Sequence, residues 1–201
     1  MDEITRHYRD ALRMLFILAR AGEPLTESAT VPGALAVVDS QKKLQKLDFW
    51  VRNPDHFAYA LLKAYEEQED AGLLALAKSI ADSKEPEIRR DAMLKYLYGA
   101  YEPLDTALAP LFSYGMASSV RNGKTKQRMY FLLPKGQEVA DRMAAEVQEA
   151  QWYSARTTVI GGFAEASPET SWLGGSTSTL HMLAQRTGKP LHPLHRKYDN
   201  G

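Results

Sequence analysis

The chain has 201 residues, 25 basic and 25 acidic side chains, and no cysteine. Its apolar share of 44 % and charged share of 25 % are those of a folded globular protein and exclude a disordered one. Without cysteine there is no disulfide framework, thiolate metal site or cysteine nucleophile, and a formal net charge of zero is wrong for a nucleic-acid coat protein.

In chain order, Ile4, Tyr8, Leu12, Leu15, Phe16 and Ala19 recur at helical spacing and predict a first helix that stops at Gly22. Residues 23–33 carry Pro24, Pro32 and Gly33 and read as a loop. A second helix is expected from Leu35 to Arg52, with Leu35, Val38, Leu44, Leu47 and Val51 inward. Asn53-Pro54 then reads as an N-cap followed by proline at the first helical position, opening a helix that buries Phe57, Leu61, Leu62 and Tyr65. The acidic run Glu66, Glu67, Glu69 and Asp70 reads as a solvated face, and Leu73 to Ile80 as a short helix.

From Glu85 the pattern is more specific. Pro86 opens a helix closed by Gly99, and a further helix from Pro103 to Tyr114 ends at Gly115. Met116 to Val120 and Gln127 to Leu133 flank Asn122-Gly123, the favoured pair for a tight hairpin turn. Pro134-Lys135-Gly136 starts a helix with Val139, Met143 and Val147 on one face. Helix, helix, hairpin, helix is the order of a winged helix-turn-helix. The expected fold is therefore mainly α with a small β-hairpin, a winged helix-turn-helix core carrying extra N-terminal and C-terminal helices. Its expected divisions are an N-terminal helical region (1–84), the winged helix (85–150), a helical extension (151–188) with turns at Gly161-Gly162, and a flexible tail (189–201).

The candidate chemistry is sparse. Gly123-Lys124-Thr125 lacks the glycine five residues earlier that a phosphate loop needs, since position 118 is serine. His192 and His195 are separated by Pro193, so no metal is expected; no nucleophile elbow or buried carboxylate pair suggests catalysis, and no cofactor is expected. The hairpin differs. Arg121, Lys124, Lys126 and Arg128 put four cations within eight residues on an element that projects into solvent, as DNA-phosphate contacts require. The helix before it points outward with Glu102, Asp105, Thr106, Ala109 and Ser113, which are acidic or small and cannot read base edges. The aromatics Trp50, Tyr98, Tyr101, Tyr114, Trp152 and Trp172 exceed what a small helical core readily hides, and such residues are enriched at interface hot spots.

The segments LQKLDFWVRNPDHFAYALL (44–62) and RRDAMLKYLYGAYEPLDTALAPLFSYGMASSV (89–120) resemble the middle component of bacterial ABC-three-component systems, the accessory subunit of Lamassu-type antiphage defence. That family's Asp-Phe-aromatic…Arg-x-Pro stretch is matched by Asp48, Phe49, Trp50, Arg52 and Pro54. Its Met-x-x-Tyr-x-Tyr-Gly-Pro-Trp-Asp stretch is matched by Met93, Tyr96, Tyr98 and Gly99, with Ala100 and Tyr101 in place of proline and tryptophan. The resemblance implies a non-catalytic adaptor that bridges an SMC-like ABC ATPase and an effector nuclease; the lack of cysteine, of a signal-like N-terminus and of a membrane-length apolar run leads one to expect a cytoplasmic protein. Within it Trp50, Arg52, Tyr98 and Tyr101 are expected to bind partners, and the hairpin cations to touch double-stranded DNA or the ATPase head. No membrane association is expected. The alternative is a winged-helix transcriptional regulator.

Overall fold

The computed structural model describes residues 3–28, 30–82 and 104–166. They contain helices α1 (Glu3–Ala21), α2 (Gln41–Arg52), α3 (Pro54–Gln68), α4 (Ala71–Asp82), α5 (Asp105–Ser113), α6 (Pro134–Glu146) and α7 (Gln148–Ala166). The strands are β1 (Glu23–Pro24), β2 (Ala36–Val38), β3 (Ala117–Arg121) and β4 (Arg128–Leu132), in one antiparallel sheet of order β1-β2-β4-β3. The molecule is mainly helical with a small antiparallel sheet. Among the described residues no helix is long and apolar enough to cross a membrane. The helix expected between Pro86 and Gly99, together with Tyr98, Tyr101, Trp172 and the tail, lies outside the described residues.

Helix α1 is the central element. It packs against α2, α5, α6 and α7 and against β2 and β4. Ala11, Met14, Leu15, Phe16, Ile17 and Leu18 are all buried, so its middle is enclosed all round, where one apolar face was expected. Tyr8, placed on that face by its spacing, is 58 % exposed because it lies before the enclosed stretch.

The helix expected from Leu35 begins six residues later. Ala36–Val38 instead form β2, buried at every position, and Leu35 is 40 % exposed. Ser40 stops the helix from extending backward: it is in extended conformation and its hydroxyl accepts from the Lys43 amide at 3.2 Å, an N-cap. β2 pairs with β4, so the sheet joins strands from either side of residue 84. The two faces of the sheet differ. Ala36, Val38, Ala117, Tyr130 and Leu132 enter the main helical core, whereas Val37 and Phe131 pack under Leu25, Val31 and Leu133.

Asn53-Pro54 behaves as expected in part. Pro54 opens α3, but the Asn53 side chain turns back and donates to the Phe49 carbonyl at 2.8 Å, closing α2 rather than capping α3. Gly115, with φ +66°, ends α5 as expected, because that backbone conformation is strained for any residue with a Cβ.

Gly161-Gly162 do not make a turn. Both lie inside α7, and Gly161 faces α1 so closely that a Cβ there would stand 2.7 Å from the Ala21 Cα and from the Arg20 carbonyl oxygen. Glycine at 161 lets two helix backbones touch, which outweighs its poor helix propensity. Gly161→Ala is expected to cost ~1–3 kcal/mol, the usual range for overpacking. Gly162→Ala, with open space around it, is expected to raise stability by ~0.5–1 kcal/mol. Urea titration of both variants checks this; equal effects would remove the close approach as the explanation.

The α1–α7 seam is completed by Arg20, which donates to Ser154 Oγ at 3.0 Å and to Asp141 of α6 at 2.6 Å. The Gln137 amide and then Arg20 hold the Asp141 carboxyl below the usual carboxylate range.

Candidate nucleic-acid interface

The hairpin turn is longer than the two-residue turn that Asn122-Gly123 suggests. The chain closes between the Asn122 amide and the Gln127 carbonyl at 2.8 Å, and the Lys126 amide returns to the Asn122 carbonyl at 2.9 Å. The reason is the Asn122 side chain. Its Oδ1 accepts from the amides of Lys124 at 2.9 Å and Thr125 at 3.2 Å, and this local capping favours a wider loop. Lys126 adopts φ +60°, a left-handed conformation that costs a non-glycine residue ~1 kcal/mol. The tip is thus a fixed frame for its charges.

Arg121, Lys124 and Lys126 are exposed, and Arg128 is half-buried. Arg121 and Arg128 are direct partners across the strand pair, an arrangement in which like charges repel. They continue the side of the sheet that carries Ala117, Ser119, Tyr130 and Leu132, the side that faces the helices. Beyond the core this side opens, so both arginines look toward the starts of α2 and α5. Arg128 meets Asp105 there, Nη1 to Oδ1 3.0 Å. Burial pushes the phenol of the neighbouring Tyr130 above its ordinary range, against the lowering pull of the Arg128 guanidinium.

The result is a groove of about 690 Å³ between the hairpin, the first turn of α2 and the first residue of α5, lined among others by Gln41, Lys42, Asp105, Arg121, Lys126 and Arg128. Of the four cations expected on the hairpin, three line this groove, and Lys124 lies outside it at the tip. Lys42 was missed by sequence reasoning, because nothing local links residue 42 to residues 121–128. The one available signal was Ser40 as an N-cap, which fixes the start of α2 and puts Gln41 and Lys42 in its first turn. Asp105, Thr106, Ala109 and Ser113 of α5 are exposed, as their spacing implies.

The residues expected to bind partners are placed differently. Trp50 is 1 % exposed, packed against Phe57 at 5.4 Å and Phe163 at 5.5 Å, so it is a core residue and no docking surface. Arg52 lies half-buried with Nη1 3.6 Å from Asp48 Oδ2. Asp48 in turn accepts from Arg13 Nε at 2.5 Å, which makes Asp48 the link between α1 and α2, with Arg52 beside it on α2. Trp152 is half-buried beneath the Arg156 guanidinium, and Tyr114 is 55 % exposed.

Comparison with protein-family models, with curated proteins and with solved structures found no match to this chain.

Proposed function

We propose that the chain is a non-catalytic adaptor subunit with a winged helix-turn-helix core, one that holds DNA by its backbone while other surfaces dock partner proteins. The observation that carries the fold reading is the strand order β2-β4-β3. A winged helix-turn-helix needs a recognition helix followed directly by a hairpin, with the sheet completed by a strand that follows the first helix. Helix α5, the β3–β4 hairpin, α1 and β2 fit that order, with α3 and α4 set between the second and third helices.

The exposed face of α5 supports backbone binding over base reading. Its Asp105 is repelled by phosphate, and Thr106, Ala109 and Ser113 offer none of the bidentate donors that distinguish bases. A transcriptional regulator would need such donors on that helix. Affinity that comes from the hairpin cations is instead electrostatic, sequence-independent and salt-sensitive.

The resemblance of residues 44–62 and 89–120 to the middle component of ABC-three-component systems supplies the assembly: an SMC-like ABC ATPase, an effector nuclease and invading DNA. Asp48, Trp50, Arg52 and Pro54 support it as a fold-building motif, since Asp48 and Trp50 tie α2 to its neighbours, Arg52 pairs with Asp48 within α2, and Pro54 starts α3.

Reversing Arg121, Lys124, Lys126 and Arg128 to glutamate together is expected to abolish binding to a mixed-sequence duplex, read by fluorescence anisotropy at low salt. The thermal melt should change little, because these side chains are mostly exposed. Binding that survives the reversal would remove the hairpin from the function.

A further inference from the structure

We infer that the hairpin does not hold DNA alone: the first turn of α2 forms the second wall of a phosphate-binding groove, Lys42 is its key contact, and Asp105 restrains it by occupying Arg128. This deepens the reading above and rests on it.

Three observations converge. First, the groove gathers Lys42, Arg121, Lys126 and Arg128 from segments almost eighty residues apart, against one carboxylate among the described residues, Asp105. That carboxylate is already neutralised by Arg128 at 3.0 Å, so Lys42, Arg121 and Lys126 form a field that, among the described residues, no acidic side chain lining the groove balances. Second, Arg121 and Arg128 face each other across the ladder, a repulsion that Asp105 relieves at Arg128 alone. A bound anion would relieve it at both. Third, the neighbouring lysines of α2 are otherwise engaged. Lys43 bonds Glu23 of β1 at 2.5 Å, and Lys46 lies buried over the Phe49 and Trp50 rings. Lys42 is exposed and lies at the positive end of the α2 dipole, where anions are favoured.

The shape selects the ligand class. A free nucleotide or polyphosphate is normally held in an enclosed pocket with converging donors. This groove is open and its cations, exposed except for the half-buried Arg128, are spread over two walls, which suits successive phosphates of a duplex running along the surface. Gln41 and Gln127 add neutral donors of the kind that also reach phosphate oxygens.

The test is a salt titration of duplex binding by the full chain, with Lys42→Ala, Asp105→Asn, the four-residue hairpin reversal and the remote Lys78→Ala compared by anisotropy and by thermal melt. Lys42→Ala is expected to lower the slope of log affinity against log salt by roughly one and to weaken binding several-fold. Asp105→Asn, which frees Arg128 and removes the negative charge, should tighten binding several-fold. Lys78→Ala should match the unaltered chain. If the hairpin reversal abolishes binding while Lys42→Ala and Asp105→Asn change nothing, the second wall is overturned and the hairpin contact stands. If the unaltered chain does not bind duplex, both readings fall. If inorganic tripolyphosphate saturates the protein at concentrations that leave the duplex unbound, the groove is a small-anion site and the inference is overturned.

Discussion

Replacing Trp50 by alanine is expected to destabilise the protein by ~3–5 kcal/mol, the usual cost of truncating a fully buried large aromatic. The indole is 1 % exposed and sits where α2, α3 and α7 meet, with Phe57 and Phe163 against it and 5.7 Å from each other. The Lys46 ammonium lies 5.3 Å from its ring centroid, and burial lowers the pKa of that lysine. Removing the indole therefore opens a cavity and also takes away the face that receives a half-desolvated cation. Native domains are stable by only ~5–15 kcal/mol, so this loss takes a large share of the total. Urea titration should show a lower midpoint at unchanged slope. A variant that keeps its midpoint but loses partner proteins would instead mark Trp50 as a docking residue.

Asp48→Ala is expected to cost ~3–5 kcal/mol, because it takes from a buried cation its buried partner and leaves it only the half-buried Asp10. Asp48 is 1 % exposed and bonds Arg13 at 2.5 Å, while Arg13 is buried and reaches Asp10 at 2.6 Å. Burial alone would lower the Arg13 pKa, but Asp48 and then Asp10 outweigh it and raise the guanidinium above its ordinary range. Arg52, 3.6 Å from the second Asp48 oxygen, loses that neighbouring carboxylate as well. The double variant Arg13→Met with Asp48→Leu should cost much less than Asp48→Ala, since apolar groups of similar size replace both buried charges and leave only those of the half-buried Asp10 and Arg52, which solvent reaches. A double-mutant cycle by urea denaturation measures the difference. If the double variant is as unstable as the single one, the ion pair is not what makes Asp48 important.

These two residues show which parts of the fold could be read from sequence. Elements with local signatures were legible. Pro134 opens α6, Gly115 closes α5, and the alternation of Arg128 to Leu132 identifies a strand. Elements fixed by distant partners were not. β2 is three residues long, buried on both faces and therefore without alternation, and its partner β4 lies some ninety residues away. Leu35 and Val38 are apolar and three residues apart, a helical spacing that extended the helix on paper although they do not share the phase of Leu44, Leu47 and Val51. Gly161-Gly162 carry the signature of a turn, and only the backbone of α1 explains a helix there. Trp50 looked like a surface anchor because its closest ring contacts, Phe57 and Phe163, lie one on the next helix and one more than a hundred residues away. The site divides in the same way. Four hairpin cations are contiguous and visible in sequence, while Lys42 and the Asp105–Arg128 pair become part of it only through tertiary structure.

The adaptor reading is tested most directly by isolating the tagged chain from its native host under gentle conditions, with and without nuclease treatment. It predicts that a large coiled-coil ABC ATPase and an effector subunit co-purify in fixed proportion, and that they remain after the DNA is digested. A chain recovered alone that turns over a substrate, or that grips one palindromic duplex tightly as a symmetric dimer, would contradict it.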